Sequence, residues 1–221
     1  MKKGEKVVTT IQLYTSVFYV AALVISNVIA SRQILLFGSV ELTGAVFIFP
    51  ITYILSDITS EVFGYTWSRR TAWMAFIANI FMSVAFYLIC MLPAPAWFGD
   101  TQAFSTVLQA VPRITLASLT AFMLGDWLND IIFQKMKGNK DGKGYIVRSI
   151  VSSFFGELVD SSVFLLIGFL GTMPIEAMLE MIPLYVLSKV LYEVLFIPVN
   201  SWFMKRAKKS HNEQLEALGL K

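Results

Sequence analysis

Apolar runs of roughly 20 residues recur along the chain between short polar or basic stretches, and about 20 residues is what an α-helix needs to cross a bilayer. The pattern predicts helices at about Ile11–Ala30, Gly44–Gly64, Thr71–Leu92, Pro112–Met136, Tyr145–Leu170 and Ile175–Met204. The third run is the cleanest, with no charge between Thr71 and Leu92, and the last two are long enough to tilt or reach the interface. The first exceeds the apolar part of a cleaved signal peptide, and Ile29-Ala30-Ser31-Arg32 is a poor cleavage site, so it is expected to stay as a helix. No composition shift, long linker or internal repeat marks a second domain. The expected fold is all-α: a polytopic six-transmembrane-helix bundle forming one integral membrane domain over residues 1–221. The longest connection, Pro93 to Val111, is placed to cap a cavity.

Composition supports this class. The 221-residue chain is 56% hydrophobic and 14% aromatic with a mean hydropathy of +0.66, where a soluble domain has an apolar share of about 45–50%. Lys2, Lys3 and Lys6, then Arg69 and Arg70, then Lys135, Lys137, Lys140, Lys143 and Arg148, and finally Lys205, Arg206, Lys208, Lys209 and Lys221 fall at alternate ends of the predicted helices. Arg32 and Arg113 are left for the other side, so both termini are expected in the cytoplasm. These loops account for the net charge of +3, and no nucleic-acid partner is needed. The single cysteine, Cys90, and single histidine, His211, argue against a disulfide framework and against a zinc or copper site. A carboxylate site for a hard cation stays arithmetically open, but no metal or cofactor is called for.

Against this background the charges inside the runs stand out. They come one helical turn apart: Asp57 with Glu61, Asp126 with Asp130, Glu157 with Asp160, and Lys189 with Glu193. An ionisable group at mid-bilayer costs about 2.5 to 3.5 kcal/mol on insertion scales, so each is expected to face inward, onto a shared polar cavity. Measured from Pro112, Asp126 lies about 21 Å along its helix, and Glu157 lies about 18 Å from Tyr145, which places both between the midplane and the cytoplasmic third. One alternative is that the charges only lock the bundle, Lys189 pairing with Glu193 or with Asp160. One lysine cannot neutralise seven carboxylates, however, so some must be protonated, hydrated or paired with a solute.

Other features change the picture less. Ser149, Ser152, Ser153, Gly156 and Asp160 make a small-residue stripe of the kind that packs helices. Pro50, Pro183 and Pro198 free backbone carbonyls or kink their helices. Tyr53, Trp127, Phe155, Phe49 and Tyr192 stand near the charges and suit stacking on a flat ligand or ordinary packing. Gly138–Gly144 superficially resembles a phosphate loop but lacks its spacing and its Ser or Thr after Lys, so a plain turn is expected and no ATPase.

The run from Thr43 through Pro50, Asp57 and Glu61 to Gly64, followed by Arg69-Arg70, closely resembles the signature of the bacterial queuosine precursor transporter family. Ser26-Asn27, Arg113-Ile114 leading to Gly125-Asp126 and Asp130, Phe155-Gly156-Glu157 with Asp160-Ser161, and Lys189 ahead of Pro198 extend the resemblance over almost the whole chain. It implies import of a 7-deazaguanine (preQ0, preQ1 or queuine) across the cell membrane for tRNA wobble modification, without catalysis or cofactor. With the charges and aromatics read above, the expected substrate contacts lie among Asn27, Tyr53, Asp57, Glu61, Asp126, Trp127, Asp130, Phe155, Glu157, Asp160, Lys189 and Glu193. Such a base offers N1–H and an exocyclic amine to one carboxylate, and its O6 needs a donor such as Lys189 or Asn27. A homo-oligomer is compatible with this. Three rivals remain: the substrate-binding subunit of an ATP-driven vitamin importer, a membrane enzyme using paired carboxylates as acid and base, and an ion channel.

Overall fold

The computed structural model describes residues 7–38, 40–137 and 145–219, without the side chains of residues 137, 145, 146, 149, 193 and 194. The turn Gly138–Gly144 and the basic residues Lys2, Lys3, Lys6, Lys140, Lys143 and Lys221 lie outside the described residues, as do the side chains of Ser149 and Glu193. The elements are α1 (Thr10–Ile29), β1 (Gln33–Leu36), β2 (Val40–Thr43), a 3-10 turn (Gly44–Phe47), α2 (Phe49–Phe63), α3 (Tyr65–Met91), α4 (Thr101–Lys137), α5 (Tyr145–Phe169) and α6 (Ile175–Ala217). Among the described residues, four helices are long and apolar enough to cross a membrane: α1, α3, α4 and, from Ile150, α5. α6 makes a fifth when Ile175–Tyr192 and Leu195–Ala217 are taken as one span. The architecture is that of an all-α membrane protein with several crossings.

Several expected boundaries are corrected. The stretch between the first two helices is an antiparallel hairpin, pairing Gln33 with Thr43 and Leu36 with Val40. Its alternation is visible in Leu42, which is buried, beside Glu41, which is exposed. The expected span Gly44–Gly64 is divided, and α2 proper has 15 residues, about 22 Å against a hydrocarbon core of about 30 Å. Pro50 sits in the first turn of α2, where its missing N–H costs nothing, instead of kinking an interior. Gly64, with φ 85°, ends α2 alone, so Arg69 and Arg70 belong to the first turns of α3 and not to a connecting loop. α4 begins at Thr101 and runs through Pro112, because Phe104, Val107, Leu108 and Val111 give its first turns an apolar stripe. The depth of Asp126 measured from Pro112 therefore has no helix end as its origin. α6 passes the expected stop at Met204 and continues to Ala217.

By their internal contacts the residues fall into two compact units, one of Met1–Ser26, Phe47–Asn79 and Tyr192–Lys221, the other of Asn27–Val46 and Ile80–Leu191. In the first, the end of α6 closes on the start of α1. Thr10 N–H donates to Gln214 Oε1 (2.7 Å), Thr9 Oγ1 and His211 Nδ1 are 2.9 Å apart, and the His211 ring meets Phe63 edge-on with centroids 5.1 Å apart. Gln214 thus supplies the acceptor that a free N–H in the first turn of α1 requires. Ser16 links the middle of α1 to α3, bonding Thr71 Oγ1 at 3.0 Å and accepting from Trp67 Nε1 at 3.0 Å.

In the second unit α4 and α5 form a close pair. A Cβ added at Gly125 would lie 2.9 Å from Gly156 O and 2.9 Å from Asp160 Cβ, and one at Gly156 would lie 2.9 Å from Gly125 O. The helices therefore cross backbone to backbone at two glycines, as small residues allow. Arg113 on α4 donates to Ile167 O (2.6 Å) and Leu170 O (2.5 Å), satisfying carbonyls at the C-terminal end of α5. Arg148 is buried and stacks over Phe133 at 5.6 Å, so it packs the pair together. Gly125→Ala and Gly156→Ala should each destabilise the pair by about 1 to 3 kcal/mol, as overpacking does. The check is the melting temperature of the purified variants; unchanged melting in both would show that the crossing is loose.

A candidate substrate site on α5 and α6

Glu157 and Asp160 are three residues apart on α5, which puts both on one face, and Lys189 of α6 comes to that face. Lys189 Nζ is 2.5 Å from Glu157 Oε2 and also bonds Asp160 Oδ2. The lysine side chain is 11% exposed and the two carboxylates 33% and 26%. Two acids on one cation leave the group a formal charge of −1. Gly125 is what lets α4 lie against Asp160 from behind, so the pocketing of this acid depends on a missing side chain. Beside it the hydroxyl of Ser161 is buried with no partner among the described residues. A partly covered lysine between two acids offers donors and acceptors for a polar solute, at a position where lipid offers neither.

The other unit holds a smaller polar pair. Asn200 Nδ2 donates to Asp57 Oδ2 at 2.5 Å, joining α2 to the second half of α6. An ionised carboxylate only accepts, which fixes the orientation of the amide and leaves Asn200 Oδ1 without a partner among the described residues. Asn200→Leu should leave Asp57 unpaired, costing about 1 to 3 kcal/mol, whereas Asn200→Ser should cost less; comparing the two by thermal melting checks the bond.

The remaining candidates are dispersed. Glu61, Asp126 and Asp130 are exposed, with no hydrogen bond or ion pair among the described residues. Tyr53 is exposed and stacks near Phe49, with centroids 6.2 Å apart. Trp127 is 64% exposed and Phe155 43% exposed, the latter set edge-on to Phe154. Asn27 is buried at the end of α1. The lysine partner expected within α6, Glu193, lies outside the described side chains. Among the described residues no three carboxylate, His or Cys side chains gather closely enough to hold a metal ion. The connection after α3, with the start of α4, forms a half-open apolar pocket of about 330 Å³ lined by Cys90, Pro93, Trp97, Phe98 and Phe104. Asn200, and Tyr185 whose hydroxyl bonds Thr43, were not singled out for these contacts from sequence. Tyr185 lies four residues before Lys189 and Asn200 two after Pro198, and spacing from a flagged residue was the available signal.

Comparison with known proteins places this arrangement. The model of the family described as "Putative vitamin uptake transporter" matches residues 43–203, which spans α2 to α5, most of α6 and the residues Asp57, Glu157, Asp160, Lys189 and Asn200. The chain belongs to that family. A "Queuosine precursor transporter" of Escherichia coli is 24% identical over 156 residues, covering 71% of this chain and 67% of the relative. A "Probable queuosine precursor transporter" of Bacillus subtilis is 22% identical over 179 residues, covering 80% and 77%. One of the same description from Haemophilus influenzae is 26% identical over 121 residues, covering 55% and 49%. No solved structure matches. The chain is therefore a transporter and not an enzyme, and a multi-pass protein of the cell membrane.

Proposed function

We propose that this chain imports a queuosine precursor, a 7-deazaguanine such as preQ1 or preQ0, into the cytoplasm, working as one integral membrane domain with six crossings and both termini inside. The observation that carries it is Lys189 held between Glu157 and Asp160 on membrane helices of a chain whose relatives bear that name. A deazaguanine presents N1–H and an exocyclic amine together, which Asp160 or Glu157 accepts, while Lys189 turns a proton to O6. Asp57 is proposed to contact the same solute during its passage, and Asn27, Glu61, Asp126, Asp130, Tyr53, Trp127, Phe155 and Glu193 remain candidates for further contacts. No nucleotide motif is present, so import is proposed to run downhill, drawn by consumption of the precursor inside. The test is uptake of labelled preQ1 and preQ0 by proteoliposomes containing this chain alone, beside a thermal-shift screen that adds queuine and guanine. Uptake without a nucleotide or partner subunit supports the proposal. Stabilisation by none of the four bases, with no uptake, defeats it.

A further inference from the structure

Tyr185 lies one turn before Lys189 on α6, at the i,i+4 spacing that sets both on one face. Its hydroxyl accepts from Thr43 N–H at 3.0 Å and donates to Thr43 Oγ1. Both residues are buried, Tyr185 at 3% and Thr43 at 0% exposure. The Tyr185 ring meets Phe164 of α5 with centroids 6.3 Å apart, and Phe164 lies four residues beyond Asp160. α5 and α6 thus face each other across two neighbouring rungs, Phe164 with Tyr185 and Asp160 with Lys189.

Thr43 is itself firmly placed. It ends β2, paired with Gln33, and the next residue, Gly44, donates its N–H to Arg32 O at 2.8 Å. A Cβ on Gly44 would lie 2.8 Å from Ile29 O, so the base of the hairpin is pressed against the end of α1. Ring contacts such as Tyr185 on Phe164 are weakly directional, whereas two hydrogen bonds between one hydroxyl and one residue, one accepted and one donated, fix a direction. Successive residues of a helix turn by about 100°, so a modest rotation of α6 carries Lys189 off the face of Glu157 and Asp160.

We infer that Tyr185 is a positioning residue of the substrate site: the hairpin base, through Thr43, holds the rotation of α6 that aims Lys189 at Glu157 and Asp160. The inference rests on the proposed role of the Lys189 group in substrate binding, and its test separates the two. Tyr185→Phe removes both hydrogen bonds, and Thr43→Val removes the acceptor Oγ1 while the Thr43 N–H bond stays; both keep the packing, and Thr43→Ser keeps the hydroxyl. In purified protein, Tyr185→Phe and Thr43→Val should each weaken preQ1 binding about tenfold, and Thr43→Ser should stay within about twofold of wild type. Independently of any ligand, labelling of Lys189 by an amine reagent, read by mass spectrometry, should be at least about fivefold faster in Tyr185→Phe and Thr43→Val than in wild type or Thr43→Ser. Wild-type protein that binds no deazaguanine while showing this labelling pattern overturns the substrate and keeps the positioning role. Labelling unchanged in Tyr185→Phe and Thr43→Val, or accelerated equally in Thr43→Ser, overturns the positioning role, as does a fall in melting temperature alone.

Discussion

Lys189→Met should abolish uptake of the precursor while leaving the protein in the membrane. The substitution keeps the length and apolar stem of the side chain and removes the one cation that touches both Glu157 and Asp160. Removing one partner of a fully buried ion pair costs about 3 to 5 kcal/mol. Here the acids are 33% and 26% exposed, so water offsets part of that and a smaller loss of stability is expected. Binding suffers more, because the donor for O6 goes and two acids are left to repel each other. Adding Glu157→Gln to Lys189→Met should restore melting temperature without restoring uptake, since charge balance returns but the donor does not. Asp160→Asn and Asp57→Asn should each lose most uptake as well. Surface yield and uptake measured together decide the matter: wild-type uptake in the lysine variant would remove Lys189 from the transport path.

Among candidate precursors, preQ1 should bind more tightly than preQ0. Its aminomethyl group is cationic at neutral pH, whereas the nitrile of preQ0 is neutral, and the Lys189 group carries a formal excess of one negative charge. A hydrogen bond to a charged partner is worth about 1.5 to 3 kcal/mol, or roughly 10- to 150-fold in affinity. Whichever acid is not neutralised by Lys189 is available for it. Competition binding in wild type, Glu157→Gln and Asp160→Asn checks this: the preference should shrink in one of the two variants. Equal affinity for both compounds, or a preference for preQ0 that survives Glu157→Gln, rules it out.

Helices whose apolar runs are unbroken were legible: α1, α3 and α5 start and stop near where hydropathy alone puts them, except that Arg69 and Arg70 are carried inside α3. The hairpin was not, because four-residue strands carry too few alternations to be distinctive. The first turns of α4 were lost to Pro112, which normally ends a helix but here lies inside one whose apolar stripe continues on both sides. In the candidate site, Lys189, Glu157 and Asp160 were legible because charge within apolar sequence is costly wherever it occurs. Tyr185 and Asn200 were not, since a tyrosine in an aromatic-rich chain and a lone asparagine announce nothing until their partners Thr43 and Asp57 are seen beside them.

The closure of α6 on α1 sets an order of events during synthesis. The opening turn of α1 is completed by Gln214 and His211, which are made more than 200 residues later, as their separations of 204 and 202 show. Until those residues emerge, α1 is held by the bilayer and its near neighbours, and its final seat waits on a contact of long sequence separation. A nascent chain stalled short of Ser210 would be inserted yet unfinished, with α1 frayed where quality-control proteases find purchase.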